Sequence, residues 1–265
     1  MILRRLYLGM CLLFLSLSLT AASDVKLEAI FFDMDGVLVD TENLKFQAWQ
    51  KSLKQDLNLD FKLKEYLTLV GYSSEEIFTK ILSTRSHIKV SYHQKQKIIK
   101  HKDKLYDKLQ AKNIIPIKNN IALLKNLLAI KSRYDFKVGI VSSARRTEIL
   151  KNLSNIKINP KTLDGIASGN DDLKDIVDPQ GTNKPKPYIY QKIAKDFNVH
   201  PQNCIVFEDT SAGVVAAHDA GMKVYAVPNS FTLTHDFSKG EAVLKSKNLQ
   251  DKAIAEKLIQ TGKIE

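Results

Sequence analysis

The chain has little cysteine and little arginine, and each shortage excludes a class of protein. Cys11 and Cys204 are the two cysteines among 265 residues, which excludes a disulfide-stapled scaffold and a zinc finger. The formal net charge of +11 comes almost entirely from lysine, and no arginine-rich stripe alternates with aromatic residues. This composition is not typical of a nucleic-acid-binding surface, so we expect no nucleic-acid partner.

Long hydrophobic runs are also scarce, and the clearest one lies at the N-terminus. Two arginines precede residues 6–19, a leucine-rich run, and small residues follow up to Ala22. This order predicts a secretory signal cleaved after Ala22, because a membrane span needs about 20 apolar residues. We expect export to the periplasm or the medium, without stable membrane association of the mature chain. An uncleaved signal that anchors the protein is the alternative, and cleavage would leave Cys204 without a partner.

From residue 26 onward, apolar runs alternate with helical patterns, which predicts a parallel sheet with crossover helices. Residues 43–111 show helical patterns without a convincing strand, including a capping box at Ser73 and Glu76. Residues 171–183 are polar and are expected to form a surface loop. The predicted division is a signal at 1–22, an α/β core at 23–42 and 112–265, and a helical cap domain at 43–111.

The most informative motif stands at the end of the first predicted strand. An apolar run at residues 30–32 ends in Asp33 and Asp35, which one residue separates, and Gly36 follows at once. The carboxyl ends of strands in an open α/β sheet form the usual ligand crevice. Two close carboxylates repel each other, so a lysine or a metal ion is expected to offset them. The same short pattern also occurs in calcium-binding loops and in ordinary turns.

Three further polar motifs follow predicted strands or precede helices. Ser142 ends the strand at residues 137–141, Lys184 precedes a proline, and Glu208 with Asp209 ends the strand at 204–207. Taken singly, these are a helix cap, a surface lysine and an acidic pair that favours a helix N-terminus. The four motifs together, in this order and spacing, indicate a shared site.

This order resembles that of the haloacid dehalogenase superfamily over residues 26–227, in particular the subgroup of sugar-phosphate phosphatases and β-phosphoglucomutases. The resemblance implies an α/β fold, with a Rossmann-like parallel sheet and an inserted all-helical cap of type 1. It also implies roles for the motif residues. Asp33 would be the nucleophile, Asp35 would serve as acid and then base, Ser142 would hold a phosphate oxygen, and Lys184 would neutralise charge.

By the same resemblance, Mg²⁺ is the expected cofactor. Its ligands would be the side chains of Asp33 and Asp209 and the backbone carbonyl of Asp35. Glu208 would bind the ion directly or through water. Hard oxygen ligands of this kind are the ones that Mg²⁺ prefers.

The predicted cap bears on the choice between hydrolysis and phosphoryl-group transfer. A β-phosphoglucomutase has a histidine after its first motif and a lysine and an arginine flanking a glycine. The matching positions here are Lys45, Val70 and Ser74. The lysine and the arginine that flank the glycine in a β-phosphoglucomutase are absent here. Hydrolysis is therefore favoured, because a mutase must bind a second phosphate. We expect Lys45, Tyr72 and Ser74, together with Ser143 at the strand end, to line the substrate pocket.

The sequence therefore predicts a Mg²⁺-dependent phosphatase that hydrolyses a small phosphorylated metabolite, sugar-phosphate-like, through an aspartyl phosphate. A β-phosphoglucomutase-like isomerase and a non-catalytic phosphate-binding protein are the alternatives. Relatives that cleave carbon–halogen bonds replace the second acid of the first motif, whereas Asp35 is present here, so dehalogenation is not expected. Arg145 and Arg146, at a predicted helix start, are expected to face solvent, and contact with substrate anions is the alternative.

Overall fold

A computed structural model describes residues 26–244 and 249–264, and the predicted signal at residues 1–22 lies outside them. The described strands are β1 (Ala29–Phe32), β2 (Val39–Asp40), β3 (Ile115–Pro116), β4 (Lys137–Ser142), β5 (Gly165–Ser168), β6 (Cys204–Glu208), β7 (Lys223–Ala226) and β8 (Ala242–Val243). The described α-helices are α1 (Glu42–Leu57), α2 (Leu63–Leu67), α3 (Ser74–Ser83), α4 (Tyr92–Asn113), α5 (Lys118–Tyr134), α6 (Arg146–Asn155), α7 (Tyr188–Phe197), α8 (Ser211–Asp219) and α9 (Lys252–Thr261).

A six-stranded parallel sheet forms the core, in the order β5-β4-β1-β6-β7-β8. The central strand β1 lies between β4 and β6, and Phe32 pairs with Ile140 on one side and Phe207 on the other. This register brings the carboxyl ends of three strands to nearly the same level. Polar residues at those ends therefore meet at one edge of the sheet.

Helices cover both faces of the sheet, and the side chains of β1 alternate between them. Ile30 and Phe32 belong to the apolar cluster that includes α5, α6 and α9, whereas Ala29 and Phe31 belong to the cluster with α7 and α8. A strand buried on both faces reads as a continuous apolar run, which is the pattern that the sequence shows at this point. The Rossmann-like fold class is thereby confirmed.

The helices α1 to α4 have an apolar cluster of their own, centred on Trp49, Phe61, Tyr66 and Phe78. The strands β2 and β3 pair antiparallel on either side of this insertion in the chain. The inserted helical cap is confirmed as part of the fold, and so is the capping box that begins α3. The predicted domain bounds stay a prediction. The helices that they cut extend further in the structure, from residue 42 and to residue 113.

Three short strands were absent from the predicted elements. β5 contains glycine and alanine, which are poor strand formers, and β2 and β3 have two residues each. Their pairing with neighbouring strands, rather than local propensity, makes them strands.

The polar segment 171–183 forms no helix or strand, as predicted, but its first residues hold α6 in place. Asp171 Oδ2 accepts a hydrogen bond of 2.7 Å from the backbone N–H of Arg146. Asp172 Oδ2 lies 2.5 Å from the Arg146 guanidinium. The Arg146 side chain is 41% exposed, and it is also paired with Asp172. Within the described part of the chain, none of the helices combines the length and the hydropathy needed to cross a bilayer.

Candidate active site

The buried Lys184 lies among carboxylates at the carboxyl edge of the sheet. Its Nζ lies 2.7 Å from Asp33 Oδ1 and also donates a hydrogen bond to Glu208 Oε1. Tyr190, on α7, donates a further bond of 2.7 Å to the same glutamate oxygen. Lys184 is 4% exposed and Asp33 is 7% exposed, so water screens this ion pair poorly.

Asp33, Glu208 and Asp209 form a buried acidic cluster whose ligand oxygens all lie within 4.8 Å of one another. Asp209 Oδ1 is buried and has no hydrogen-bond partner among the described residues. An unpaired, buried carboxylate oxygen is costly unless a cation meets it. The donor set consists of carboxylates alone, so it fits a hard divalent cation such as Mg²⁺. Within the described residues, this cluster is the group with metal-ligand spacing.

The electrostatics of the cluster show an excess of negative charge. Burial, together with the charges of Glu208 and Asp35, raises the pKa of Asp33 to about 7 against the opposing effect of Lys184. Burial, with the charges of Glu208 and Asp33, also raises the pKa of Asp209 well above its usual range. Burial would lower the pKa of Lys184, yet Asp33 and Glu208 together raise it well above its ordinary value. The lysine therefore stays charged while the carboxylates compete for it.

Two glycines of the motifs leave room for these carboxylates. Gly36 has a φ of +86°, and a Cβ on it would lie 1.9 Å from Asp209 Oδ2. A Cβ on Gly213, in the first turn of α8, would lie 2.0 Å from the carboxyl carbon of Glu208. Each glycine is required because a side chain would displace an acid of the cluster.

The carboxylate of Asp35 points away from the acidic cluster. Its Oδ1 accepts a hydrogen bond of 2.6 Å from the Thr41 hydroxyl, and its Oδ2 lies 3.5 Å from Lys45 Nζ. Lys45 also lies 2.8 Å from Glu42 Oε1, and Tyr66 donates to Glu42 Oε2 at 2.7 Å. Asp35 is thus left to contact a ligand rather than the cation through its side chain, and the cap residue Lys45 touches it directly.

A cavity of about 500 Å³ lies between the edge of the sheet and the cap helices. Every residue that the sequence predicts for the site lines it: Asp33, Asp35, Lys45, Tyr72, Ser74, Ser142, Ser143, Lys184, Glu208 and Asp209. Ser142 is buried, and its Oγ accepts a hydrogen bond from the backbone N–H of Ala144 at 3.1 Å. A hydroxyl that accepts can still donate, so Ser142 can hold an anionic oxygen.

The structure adds a cation that sequence reasoning missed. Lys102, on α4, donates a hydrogen bond of 2.8 Å to Ser74 Oγ and lies 5.1 Å above the Trp49 ring. A positive charge therefore stands beside the cap loop in which the sequence has Val70 and Ser74 instead of a lysine and an arginine. Lys102 lies in a lysine-rich helix, and no local signal separates it from its exposed neighbours.

Arg145 and Glu148 also line the cavity, from the start of α6. The Arg145 guanidinium lies 2.9 Å from Asp107 Oδ1 of the cap, and its side chain is 36% exposed. Burial and the charge of Asp35 raise the pKa of Glu148 to about 7. The ion pair of Arg145 with Asp107 and the influence of Asp35 on Glu148 both involve residues that are distant in sequence, so no local sequence pattern predicts them.

Fold and site together define a Rossmann-like α/β protein with an inserted helical cap and a buried carboxylate cluster at the carboxyl edge of its sheet. The model of the haloacid dehalogenase-like hydrolase family matches residues 30–227, and the chain belongs to that family. The chain is therefore an enzyme, and the predicted resemblance is confirmed.

Relatives of known name support the same subgroup. A phosphorylated carbohydrates phosphatase of Thermotoga maritima is 29% identical over 222 residues, which cover 83% of this chain and 91% of that protein. A β-phosphoglucomutase of Bacillus subtilis is 30% identical over 200 residues, which cover 74% of this chain and 81% of that protein. The crystal structure of a β-phosphoglucomutase from Clostridium difficile superposes with a TM-score of 0.68 at 28% identity, covering 88% of this chain and 97% of that one.

The charge balance of the acidic cluster predicts the effect of removing its lysine. Lys184→Met leaves buried carboxylates unpaired, which should lower the free energy of unfolding by about 3–5 kcal/mol near neutral pH. An acid whose pKa is raised on folding costs stability as the pH rises from its unfolded pKa to its folded pKa. For Asp33 in the wild type this interval runs from 3.8 to about 7, and without Lys184, which lowers this pKa, its upper end moves to higher pH. The loss should therefore be larger at about pH 8 than at about pH 5.

Urea denaturation of the metal-free protein at both pH values measures this effect. Lys186→Met is the matched control, because its ammonium pairs with Asp178 at the surface and should contribute less than about 1 kcal/mol. Equal, small losses for both variants at both pH values would contradict the described charge balance.

Proposed function

We propose that the protein is a Mg²⁺-dependent phosphatase that hydrolyses a small phosphorylated metabolite of the sugar-phosphate kind. The observation that carries this proposal is the position of Asp33. It ends the central strand, pairs with Lys184 at 2.7 Å, and shares a buried acidic cluster with Asp209. The names of the Thermotoga and Bacillus relatives support a phosphorylated carbohydrate as the substrate class.

The first chemical step would transfer the phosphoryl group to the protein. A carboxylate oxygen of Asp33 forms a bond to phosphorus while the bond from phosphorus to the ester oxygen breaks. Asp35, in its protonated form, gives its proton to the leaving alcohol oxygen. Lys184 offsets the charge between the attacking carboxylate and the phosphate, and Ser142 donates a hydrogen bond to a phosphate oxygen.

The second step would release inorganic phosphate. Asp35, now ionised, takes a proton from a water molecule as the water oxygen bonds to phosphorus. The bond between phosphorus and the Asp33 oxygen breaks, which restores both carboxyl groups to their starting states. Thr41 and Lys45 hold the Asp35 side chain in place for both transfers. The cap closes the cavity and limits the access of bulk water.

Asp33 and Asp209 would hold the Mg²⁺ ion, with the Asp35 carbonyl as a further ligand and Glu208 bound directly or through water. When bound, the ion supplies positive charge that offsets the carboxylate cluster and the transferring phosphoryl group. Asp209 Oδ1, which is buried and has no partner within residues 26–244 and 249–264, supports this assignment.

The proposal predicts that Asp33→Asn abolishes turnover without unfolding the protein. An amide of the same shape cannot attack phosphorus, so kcat should fall by roughly three orders of magnitude or more. Phosphate release from p-nitrophenyl phosphate, with and without Mg²⁺, measures this loss, and circular dichroism checks folding. Asp135→Asn, at an exposed side chain remote from the site, should keep full activity. Retained Mg²⁺-dependent hydrolysis in Asp33→Asn would contradict the mechanism, and inactive wild type would favour a non-catalytic phosphate-binding protein.

A β-phosphoglucomutase-like isomerase is the second candidate function, and the position of Lys102 supports it. The lysine supplies a positive charge at Ser74, where a second phosphate of a bisphosphate would need one. Its charge is already paired, however, because Asp103 Oδ1 lies 2.7 Å from Lys102 Nζ. Hydrolysis therefore remains the favoured reaction.

The two reactions respond differently to a sugar bisphosphate. We expect the rate of phosphate release from a sugar monophosphate to be unchanged when a catalytic amount of the bisphosphate is added. Hydrolysis forms its own aspartyl phosphate from each substrate molecule, whereas a mutase needs the bisphosphate as a primer. Phosphorus NMR of the reaction separates inorganic phosphate from an isomerised sugar phosphate. Isomer formation that depends on the bisphosphate would contradict the phosphatase proposal.

We also propose that the protein is exported through the N-terminal signal predicted at residues 1–22. Expression of the full chain in a bacterial host should yield a mature protein that begins at Ser23, as read by intact mass spectrometry. Ala22→Leu should block cleavage, because signal peptidases require a small residue at that position. An intact N-terminus on the wild-type protein would contradict cleavage and support a retained anchor.

A further inference from the structure

We propose that Asn229 is a positioning residue that fixes the Asp209 carboxylate for the cation, an inference that rests on the proposed metal site. Asn229 lies in the loop after β7, outside every motif identified in the sequence. Its Nδ2 donates a hydrogen bond of 2.7 Å to Asp209 Oδ2 and lies 3.4 Å from the carbonyl oxygen of Gly36. The amide thus joins the two segments that would hold the ion.

The loop itself determines which way the Asn229 amide faces. Asn229 Oδ1 accepts a hydrogen bond of 2.8 Å from the backbone N–H of Phe231. The backbone N–H of Asn229 donates to the hydroxyl of the fully buried Thr232 at 3.0 Å. Because the oxygen of the amide is committed to the backbone, its NH₂ group must face the carboxylate. The donor is therefore in place before any ligand arrives.

The contact leaves the two oxygens of Asp209 in different states. Oδ2 is held by Asn229, whereas Oδ1 is buried without a partner among the described residues. A neutral amide orients the carboxylate and leaves its negative charge in place, whereas a lysine would cancel that charge. Without such a donor, repulsion by Glu208 and Asp33 would favour turning Asp209 away from the cluster. Asn229 therefore presents a single oxygen to a cation against the repulsion of the neighbouring acids.

The same loop also contacts the cap. The Phe231 ring packs edge-on against the Tyr66 ring, with 6.4 Å between their centroids. Tyr66 in turn bonds to Glu42, which lies against Lys45. The loop that contains Asn229 is thereby held between the core and the cap. This restricts the movement of the loop and keeps Asn229 in contact with Asp209.

The test is direct Mg²⁺ binding to the metal-free full-length protein, measured by isothermal titration calorimetry without substrate. Asn229→Ser keeps a hydroxyl that can accept from the Phe231 N–H but cannot reach Asp209, and Asn229→Leu removes both contacts. Loss of a residue that orients a metal ligand typically weakens metal binding by roughly 10–100-fold. We expect a loss of this size in both variants, with a metal-free melting temperature that falls by only a few degrees for Asn229→Ser, because one hydrogen bond to a buried carboxylate is lost. The Mg²⁺ concentration for half-maximal activity should rise while kcat at saturating Mg²⁺ is largely kept.

Asn126→Ser is the matched control, because Asn126 on α5 donates to the Gln250 carbonyl far from the acidic cluster and should leave Mg²⁺ affinity unchanged. Unaltered affinity in both Asn229 variants would overturn the inference. It would also be overturned if Asn229→Ser proved unfolded without metal, so that its loss of affinity matched its loss of folded protein. A wild-type protein that binds Mg²⁺ but hydrolyses no phosphate ester would refute the proposed function and leave this inference standing. A wild-type protein that binds no Mg²⁺ would refute both.

Discussion

The structure depends on one electrostatic constraint, which is the burial of three carboxylates around a single described ammonium. Lys184 contacts Asp33 and Glu208, and Asp209 completes the acidic cluster with an oxygen that has no partner in the described part of the chain. Carboxylates this close together repel one another strongly where water is largely excluded. The folded state tolerates the cluster because the lysine offsets part of its charge. The remaining charge is what makes the cluster suited to a divalent cation.

Much of the surrounding architecture serves to keep these acids close together. The register of β1 with β4 and β6 levels the strand ends, so side chains from distant segments meet at one edge. Gly36 and Gly213 leave the space that the carboxylates occupy. The cap then closes the other side of the cavity, and Lys45 connects it to Asp35. The sheet thus supplies the reacting groups, and the cap supplies the wall that a leaving group would meet.

The parts of the site that follow strands could be predicted from the sequence. Asp33, Asp35, Ser142, Glu208 and Asp209 each stand at or next to a buried strand, so their convergence follows from the geometry of a parallel sheet. The longer strands were recognisable as apolar runs, with the exception of β5, which has two weak strand formers, and the two-residue strands β2 and β3 were not recognisable either. The cap helices were recognisable from their periodicity and from the capping box.

Residues that reach the site through tertiary packing could not be predicted. Lys102 resembles every other lysine of α4, and it is singled out by contacts with Ser74 and Trp49 from other helices. Arg145 lies in the cavity because the cap brings Asp107 to it. Asn229 follows a strand, but a single asparagine in a polar loop carries no pattern. In each case the partner residue lies far away in sequence, so local sequence propensity cannot predict the contact.

The most direct test of the account is an anomalous diffraction measurement on crystals of the protein grown with Mn²⁺ as a substitute for Mg²⁺. The account predicts an anomalous peak at the carboxyl edge of the sheet, about 2.0–2.3 Å from carboxylate oxygens of both Asp33 and Asp209. A peak coordinated by neither residue, or an acidic cluster that binds no ion at saturating Mn²⁺, would contradict it.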